Sequence, residues 1–178
     1  MFQRSNRHLP YDSPMQIPAD AKRTLFKSPL GDIHLLAMPN ALIGLWFDGQ
    51  THQPGLSHIP VVTTNPVLKQ AEEQLADYFA GLRERFDLPI AIVFGSAFQR
   101  TVWAALSTIT YGHTRSYQDI AQTLQKPKAM RAVGAAIGKN PLSLVIPCHR
   151  VLGAKGQLTG YAGGLDRKAA LLHLEGVF

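Results

Sequence analysis

The chain contains a single cysteine, Cys148, held behind Pro147 and followed by His149 and Arg150, and no stretch limits the possible folds more than this one, Leu144 to Val151. One cysteine cannot form an internal disulfide, so the fold has to be held by an apolar core. The 178 residues, 46% of them apolar, suffice for one large domain or two small ones. Leu144, Val145, Ile146 and Pro147 predict a short stiff segment that delivers and aims the thiol. An isolated cysteine is commonly just a small buried hydrophobe. Here the imidazole and guanidinium that follow it, with the Asn140-Pro141 turn upstream, predict a thiol of lowered pKa, because the thiolate is the attacking species.

The net charge of +6 favours a polyanionic partner, either nucleic acid or an anionic membrane surface. No apolar run approaches the roughly twenty residues of a membrane span, and the N-terminus lacks a continuous apolar signal core. With its lone thiol the chain reads as a protein of a reducing compartment, cytoplasmic or nuclear.

Residues 1–22 are polar and broken by Pro10, Pro14 and Pro18, which predicts a loose arm. Its Arg4, Arg7 and His8 are either solvated or available to a phosphate backbone. Residues 23–93 predict a first unit: strands at Thr24 to Lys27, Ile33 to Met38 and Leu42 to Phe47, then a helix with Asn65 as N-cap and Pro66 in first position. Leu68, Ala71, Leu75, Tyr78 and Phe79 give that helix an apolar face, and Gly81 ends it. His52 and His58 lack companions at metal-ligand spacing and read as loop histidines. No chemical constellation arises in this half, which reads as scaffold.

Residues 94–178 predict a second, mostly helical unit reached through an extended connector. Ser96 with Gln99, and Ser116 with Asp119, are capping boxes that start two helices. The second of these breaks at Lys126-Pro127-Lys128, and a third follows from about Lys128 to Gly138. This is a helix-turn-helix arrangement. One stripe of the third helix, Met130, Val133 and Ile137, is predicted to face the core. The other, Arg131, Gly134, Ala135 and Gly138, is bare, although each glycine costs about 1 kcal/mol relative to alanine. Either the helix packs closely inside the protein or another surface approaches its backbone.

Taken together, Pro147-Cys148-His149-Arg150 with Asn140-Pro141, Arg131-Ala132-Val133-Gly134, Ser116-Tyr117, and Leu171-Leu172 with Glu175-Gly176 resemble the O6-alkylguanine-DNA alkyltransferases, the methylated-DNA:protein-cysteine methyltransferases. The resemblance covers the chain from about Arg23 to the end. It implies an N-terminal ribonuclease-H-like α/β domain followed by a mostly helical, winged-helix-like DNA-binding and active-site domain. It implies stoichiometric, irreversible transfer of the alkyl group from O6-alkylguanine in double-stranded DNA to Cys148, with O4-alkylthymine left open as a second substrate and no cofactor or metal required. Carried over residue by residue, Cys148 is the acceptor, His149 takes its proton through a water, Glu175 orients that imidazole, Tyr117 gives a proton to the departing base, and Asn140 ties the recognition helix to the active-site turn. Arg131 fills the place of a nucleotide rotated out of the duplex, and Ala132, Gly134, Ala135, Gly138, Ser116 and Arg150 complete the DNA-binding set. Tyr117, Val151, Tyr161, Ala162 and Gly163 are implied to line the alkylguanine pocket.

Two departures from the family pattern stand out. Some members bind a zinc ion through N-terminal cysteines and histidines, a site that cannot form that way here. Ala162 stands where other members carry serine, which predicts a pocket somewhat more permissive to large alkyl groups. Two rival readings are a cysteine hydrolase built on Cys148 and His149, separated by multiple turnover, and a non-enzymatic helix-turn-helix regulator, separated by its indifference to Cys148→Ser.

Overall fold

The computed structural model describes residues 15–178. An antiparallel meander opens the fold: β1 (Lys22–Ser28), β2 (Gly31–Met38) and β3 (Ala41–Phe47), with β2 in the centre. Every residue of β3 is buried, so its sequence shows a continuous apolar run instead of alternation. The two faces of the sheet carry separate clusters. Ile33, Leu35, Leu42, Leu45 and Phe47 belong to the main core. Leu36, Ile43 and Trp46 belong to a second cluster with Leu56, Ile59 and Phe94.

That second cluster corrects one expectation. Met15 and Ile17 pack against it, Ala21 is buried in it, and Lys22 already belongs to β1, so the chain is tied down before residue 22. Arg4, Arg7 and His8 lie outside the described residues.

Helix α1 (Pro66–Phe79) begins as its sequence dictates, with Asn65 Oδ1 accepting from the amides of Val67 at 2.9 Å and Leu68 at 3.0 Å. Such a cap contributes about 1 kcal/mol. The helix lays Leu68, Ala71, Leu75 and Tyr78 on the sheet, and each fully buried leucine contributes roughly 1.5–3 kcal/mol. Gly81 adopts φ 72°, and the amide of Leu82 closes back on Asp77 O at 2.9 Å.

The second unit comprises α2 (Ala97–Leu106), β4 (Arg115–Ser116), α3 (Tyr117–Thr123), α4 (Met130–Gly138), β5 (Val151–Leu152) and α5 (Leu165–Leu174). Both capping boxes form, Ser96 with Gln99 and Ser116 with Asp119. A short 3-10 turn, Pro127–Ala129, separates α3 from α4, and β4 pairs in parallel with β5. Trp103 Nε1 donates to Ala136 O at 2.8 Å and locks α2 against α4. Val133, Ala136 and Ile137 are buried as the helical period requires, but Met130 is 44% exposed and is not a core residue. It sits at the first turn of α4, beyond the edge of the apolar cluster.

What positions the functional segment is the free edge of β3. Leu42 bonds the connector through Pro89 O and the amide of Ala91, and Leu45 bonds Pro141 O at 2.8 Å and the amide of Ser143 at 3.0 Å. The chain leading to Cys148 is thereby attached to the N-terminal sheet, and the main core runs through both units.

Candidate active site

The short stiff segment that the sequence predicts before the cysteine is a succession of tight turns. Leu144 adopts φ 69°, with the Val145 amide bonded to Ser143 O at 2.9 Å across it. A non-glycine residue held there costs about 1–3 kcal/mol and persists only where its surroundings over-determine it. Ile146 N bonds Leu142 O and Cys148 N bonds Ile146 O, both at 2.8 Å. The thiol is thus aimed by a clamp of hydrogen bonds. At its centre is Asn140, buried after α4, whose Nδ2 donates to Ile146 O at 2.8 Å and to Cys148 Sγ at 3.1 Å while its Oδ1 accepts from Leu142 N at 3.0 Å.

Cys148, His149 and Arg150 form one 3-10 turn, so their side chains diverge. His149 Nε2 lies 2.8 Å from Glu175 Oε1, and both side chains are fully buried. The other ring nitrogen, Nδ1, is buried with no hydrogen-bond partner among the described residues. Arg150 grips the same carboxylate, Nε to Oε2 at 2.8 Å and Nη2 to Oε1 at 3.0 Å, and gives Nη1 to Ile109 O at 2.5 Å. Arg150 is therefore an internal strut and cannot belong to the DNA-binding set in which the sequence reading placed it. Tyr78 Oη completes the shell of Glu175, donating to Oε1 at 2.7 Å.

These contacts decide the resting charges. Burial opposes the ionisation of Glu175, but the hydrogen bonds from His149 and Arg150 outweigh it and hold its pKa at about 2. Burial keeps the His149 imidazole neutral, against the opposing pull of Glu175. Cys148 is also corrected: burial pushes its thiol up, opposed by the Asn140 amide and the charge of Lys168, so the resting sulfur is a protonated thiol. Neither immediate neighbour lowers it, because both are turned towards Glu175.

Above the sulfur lies a cavity of about 470 Å3 lined by Cys148, Tyr117, Tyr161 and Ala162, by Gly134, Ile137 and Gly138 of α4, and by Thr51 and His52 of the N-terminal unit. Tyr117 Oη donates to Thr159 O at 3.1 Å and Gly160 O at 2.9 Å. Burial raises its pKa, so it remains a proton-bearing phenol. Val151 and Gly163, expected to line the pocket, lie behind it. Val151 is fully buried with its carbonyl on Lys168, and Gly163 is the bare spot over which the Tyr161 ring folds, its missing Cβ only 2.7 Å from Tyr161 Cε1.

The bare stripe of α4 faces outward. Arg131, Ala132 and Ala135 are exposed, a Cβ on Gly138 would meet nothing within 4 Å, and one on Gly134 would meet only the Tyr117 ring at 3.8 Å. Packing inside the protein does not require these glycines. Ser116, also expected at the DNA, serves as the cap of α3, accepting from Asp119 N at 3.0 Å.

The chain matches two family models, the 6-O-methylguanine DNA methyltransferase ribonuclease-like domain over residues 21–92 and the DNA binding domain of the same family over residues 97–177. The chain belongs to the 6-O-methylguanine DNA methyltransferase family. It is 50% identical over 149 residues to the methylated-DNA–protein-cysteine methyltransferase of Mycolicibacterium paratuberculosis, covering 83% of this chain and 88% of that one. The corresponding protein of Methanosarcina acetivorans is 44% identical over 156 residues, covering 85% and 96%. The crystal structure of the Mycobacterium tuberculosis O6-methylguanine methyltransferase superposes with a TM-score of 0.80 at 43% identity, over 87% of this chain and 92% of that one. The M. tuberculosis protein OGT in complex with DNA gives 0.79 at 42% identity, over 87% and 91%. As a member of this methyltransferase family, the chain is an enzyme that repairs DNA by transferring an alkyl group to a protein cysteine, and DNA is its partner.

Lys168, Tyr78 and Thr51 are among the residues of this methyltransferase's site that the sequence reading did not assign to it, as are His52, Ile137, Thr159 and Gly160 on the cavity wall. Lys168 is buried on α5 and donates to Val151 O, to Thr159 O at 2.7 Å and to Gly160 O at 3.4 Å, and burial lowers its pKa to about 8. Its signal was present, since 168, 171, 172 and 175 share one helical face with Glu175. Tyr78 was placed correctly on the apolar face of α1, but nothing local tells a buried phenol from a phenylalanine. Thr51 reaches the pocket wall through its amide, 3.0 Å from Ala162 O, a contact with no counterpart in sequence spacing. Among the described residues no three His, Cys, Asp or Glu side chains form a metal cage, and no helix is long and apolar enough to cross a membrane.

Proposed function

We propose that this methyltransferase acts on O6-alkylguanine in double-stranded DNA, removing the alkyl group irreversibly and once per molecule, without a cofactor. The observation that carries the reading is the position of Cys148: its sulfur is held by Asn140 at 3.1 Å on the floor of a base-sized cavity whose rim is the small-residue face of α4. The target oxygen of a stacked guanine cannot reach a recessed sulfur, so the nucleotide is rotated out into the cavity. The exposed α4 face, with Arg131 on it, fits a minor groove, where bases are poorly distinguished and lesion search is nearly independent of sequence. Arg131 takes the vacated place, while Ala132, Gly134, Ala135 and Gly138 allow the backbone close approach.

The chemistry starts from a neutral pair. His149 Nδ1 takes the Cys148 proton through a water, and the carboxylate of Glu175 stabilises the imidazolium through Nε2. The thiolate attacks the alkyl carbon, an S–C bond forms and the C–O6 bond breaks with its electron pair passing to O6. The Tyr117 phenol gives a proton to the departing base and is reprotonated from the imidazolium side through solvent, leaving neutral guanine and a thioether. Nothing reverses the thioether, so the site works once. Ala162 leaves room beside the alkyl group, which favours tolerance of larger groups. O4-alkylthymine presents the same alkyl-oxygen bond and is a second substrate in this reading.

Intact-mass spectrometry after mixing the protein with duplexes carrying O6-methylguanine or O4-methylthymine, followed by peptide mapping, tests it. One methyl group per chain on Cys148 is expected, and none on Cys148→Ser. Repeated turnover, or no added carbon on Cys148, overturns it.

A further inference from the structure

The hydroxyl of Tyr78 needs an explanation that packing does not supply. Its ring is fully buried among aromatic neighbours, edge-on to Phe79 with centroids 5.3 Å apart, tilted against Phe86 at 5.3 Å and edge-on to Tyr111 at 6.3 Å. Phenylalanine would fill that place without a polar group to desolvate. The phenol instead crosses from the N-terminal unit and donates to Glu175 Oε1, the oxygen that His149 also uses. A phenol facing an ionised carboxylate can only donate to it, and such charge-assisted bonds are roughly twice as strong as neutral ones. The other donors to this carboxylate come from His149 and Arg150, which share one turn. Among the described residues, Tyr78 is the donor to this carboxylate that comes from outside that turn.

We propose that Tyr78 is a positioning residue for alkyl transfer, holding the Glu175 carboxylate in the orientation that sets the basicity of His149. The inference rests on the relay described under Proposed function. Each donor on Oε1 draws charge away from it. With the Tyr78 donor removed, Oε1 turns more of its charge towards His149 Nε2, and the imidazole becomes more basic and less firmly aimed. The other charged or titratable groups around the pair are Arg150 on the carboxylate, Tyr111 beside Arg150 with Glu84 facing it, Tyr161, and Lys168 and Cys148 beyond the imidazole. All of them survive a Tyr78→Phe change.

The test is the second-order rate of transfer from duplex O6-methylguanine to the full chain across pH 5.5–8.5, for wild type, Tyr78→Phe and Phe86→Leu. Phe86→Leu loosens the same aromatic cluster without touching Glu175. Tyr78→Phe is expected to move the acid limb upward by about half a unit or more and to slow transfer about three- to tenfold near neutrality. Phe86→Leu lowers the melting temperature and leaves the limb in place. NMR titration of the His149 ring in the same variants reads the displacement without requiring transfer. An unmoved limb and an unmoved ring titration in Tyr78→Phe, with the wild type transferring normally, overturn the proposal. Absence of transfer by the wild type overturns the parent reading and this one with it.

Discussion

Asn140 Nδ2 stands 3.1 Å from Cys148 Sγ and 2.8 Å from Ile146 O, so one buried amide both shapes the turn and solvates the sulfur that the turn presents. Because the resting sulfur is a protonated thiol raised by burial, this donor favours the thiolate that must form transiently. In Asn140→Ala the buried Leu142 amide also loses its partner, while the Ile146 carbonyl keeps the amide of Cys148. Leaving the Leu142 amide unpaired costs about 1–3 kcal/mol. The variant is expected to unfold at lower urea and to transfer about ten- to a hundredfold more slowly. Thiol alkylation against pH should show the Cys148 pKa raised further, and a pKa equal to that of the wild type would remove the electrostatic role.

Alkylation changes that same contact. Cys148 is only 4% exposed and the Asn140 amide donates to its sulfur at 3.1 Å, so a methyl group that the cavity does not take up crowds that contact. Overpacking of this kind typically costs about 1–3 kcal/mol. The methylated protein is therefore expected to melt several degrees below the free protein by calorimetry. Coincident melting curves would show that the cavity absorbs the group without strain.

Glu175 ties stability to pH with a definite sign. Its carboxyl titrates near 4.5 when unfolded and at about 2 when folded, so in the window between the two the unfolded chain binds the proton first. The stabilisation is complete above about pH 5, shrinks as pH falls, and is gone below the folded pKa. It amounts to about 3 kcal/mol, carried by the hydrogen bonds and charges of His149 and Arg150. Urea midpoints taken from pH 7 down to pH 3 are expected to fall in the wild type. Glu175→Gln should be less stable at pH 7 and lose part of this slope, and an identical slope would place the acid sensitivity elsewhere.

How much of this was legible depends on whether the cause was local. The Asn65 cap and both capping boxes are bonds between a side chain and backbone two or three residues away, and the sequence contains both partners. The attachment of residues 141–143 to β3 joins positions about a hundred apart and has no signature in composition or period. Adjacency misled the reading of Arg150: residues 148–150 share a 3-10 turn, which sends successive side chains in different directions, and the guanidinium is spent on Glu175. Met130 fell in phase with Val133 and Ile137, yet period fixes only the face of a helix and does not say where the core ends.

The α4 glycines separate folding from function. Gly138 has open space around its missing Cβ, so Gly138→Ala meets no clash and gains helix propensity of up to about 1 kcal/mol, less so near the helix end. Selection for stability alone would not keep a glycine there. If the face enters a groove, added bulk obstructs it: Gly138→Leu should fold as well as the wild type but transfer much more slowly from duplex DNA. Free O6-benzylguanine base needs no groove, so it should alkylate Cys148 in Arg131→Ala at close to the wild-type rate, while transfer from duplex falls and its dependence on salt weakens. A Gly138→Leu protein that handles duplex lesions at the wild-type rate would show that the bare stripe of α4 is not the surface the DNA meets.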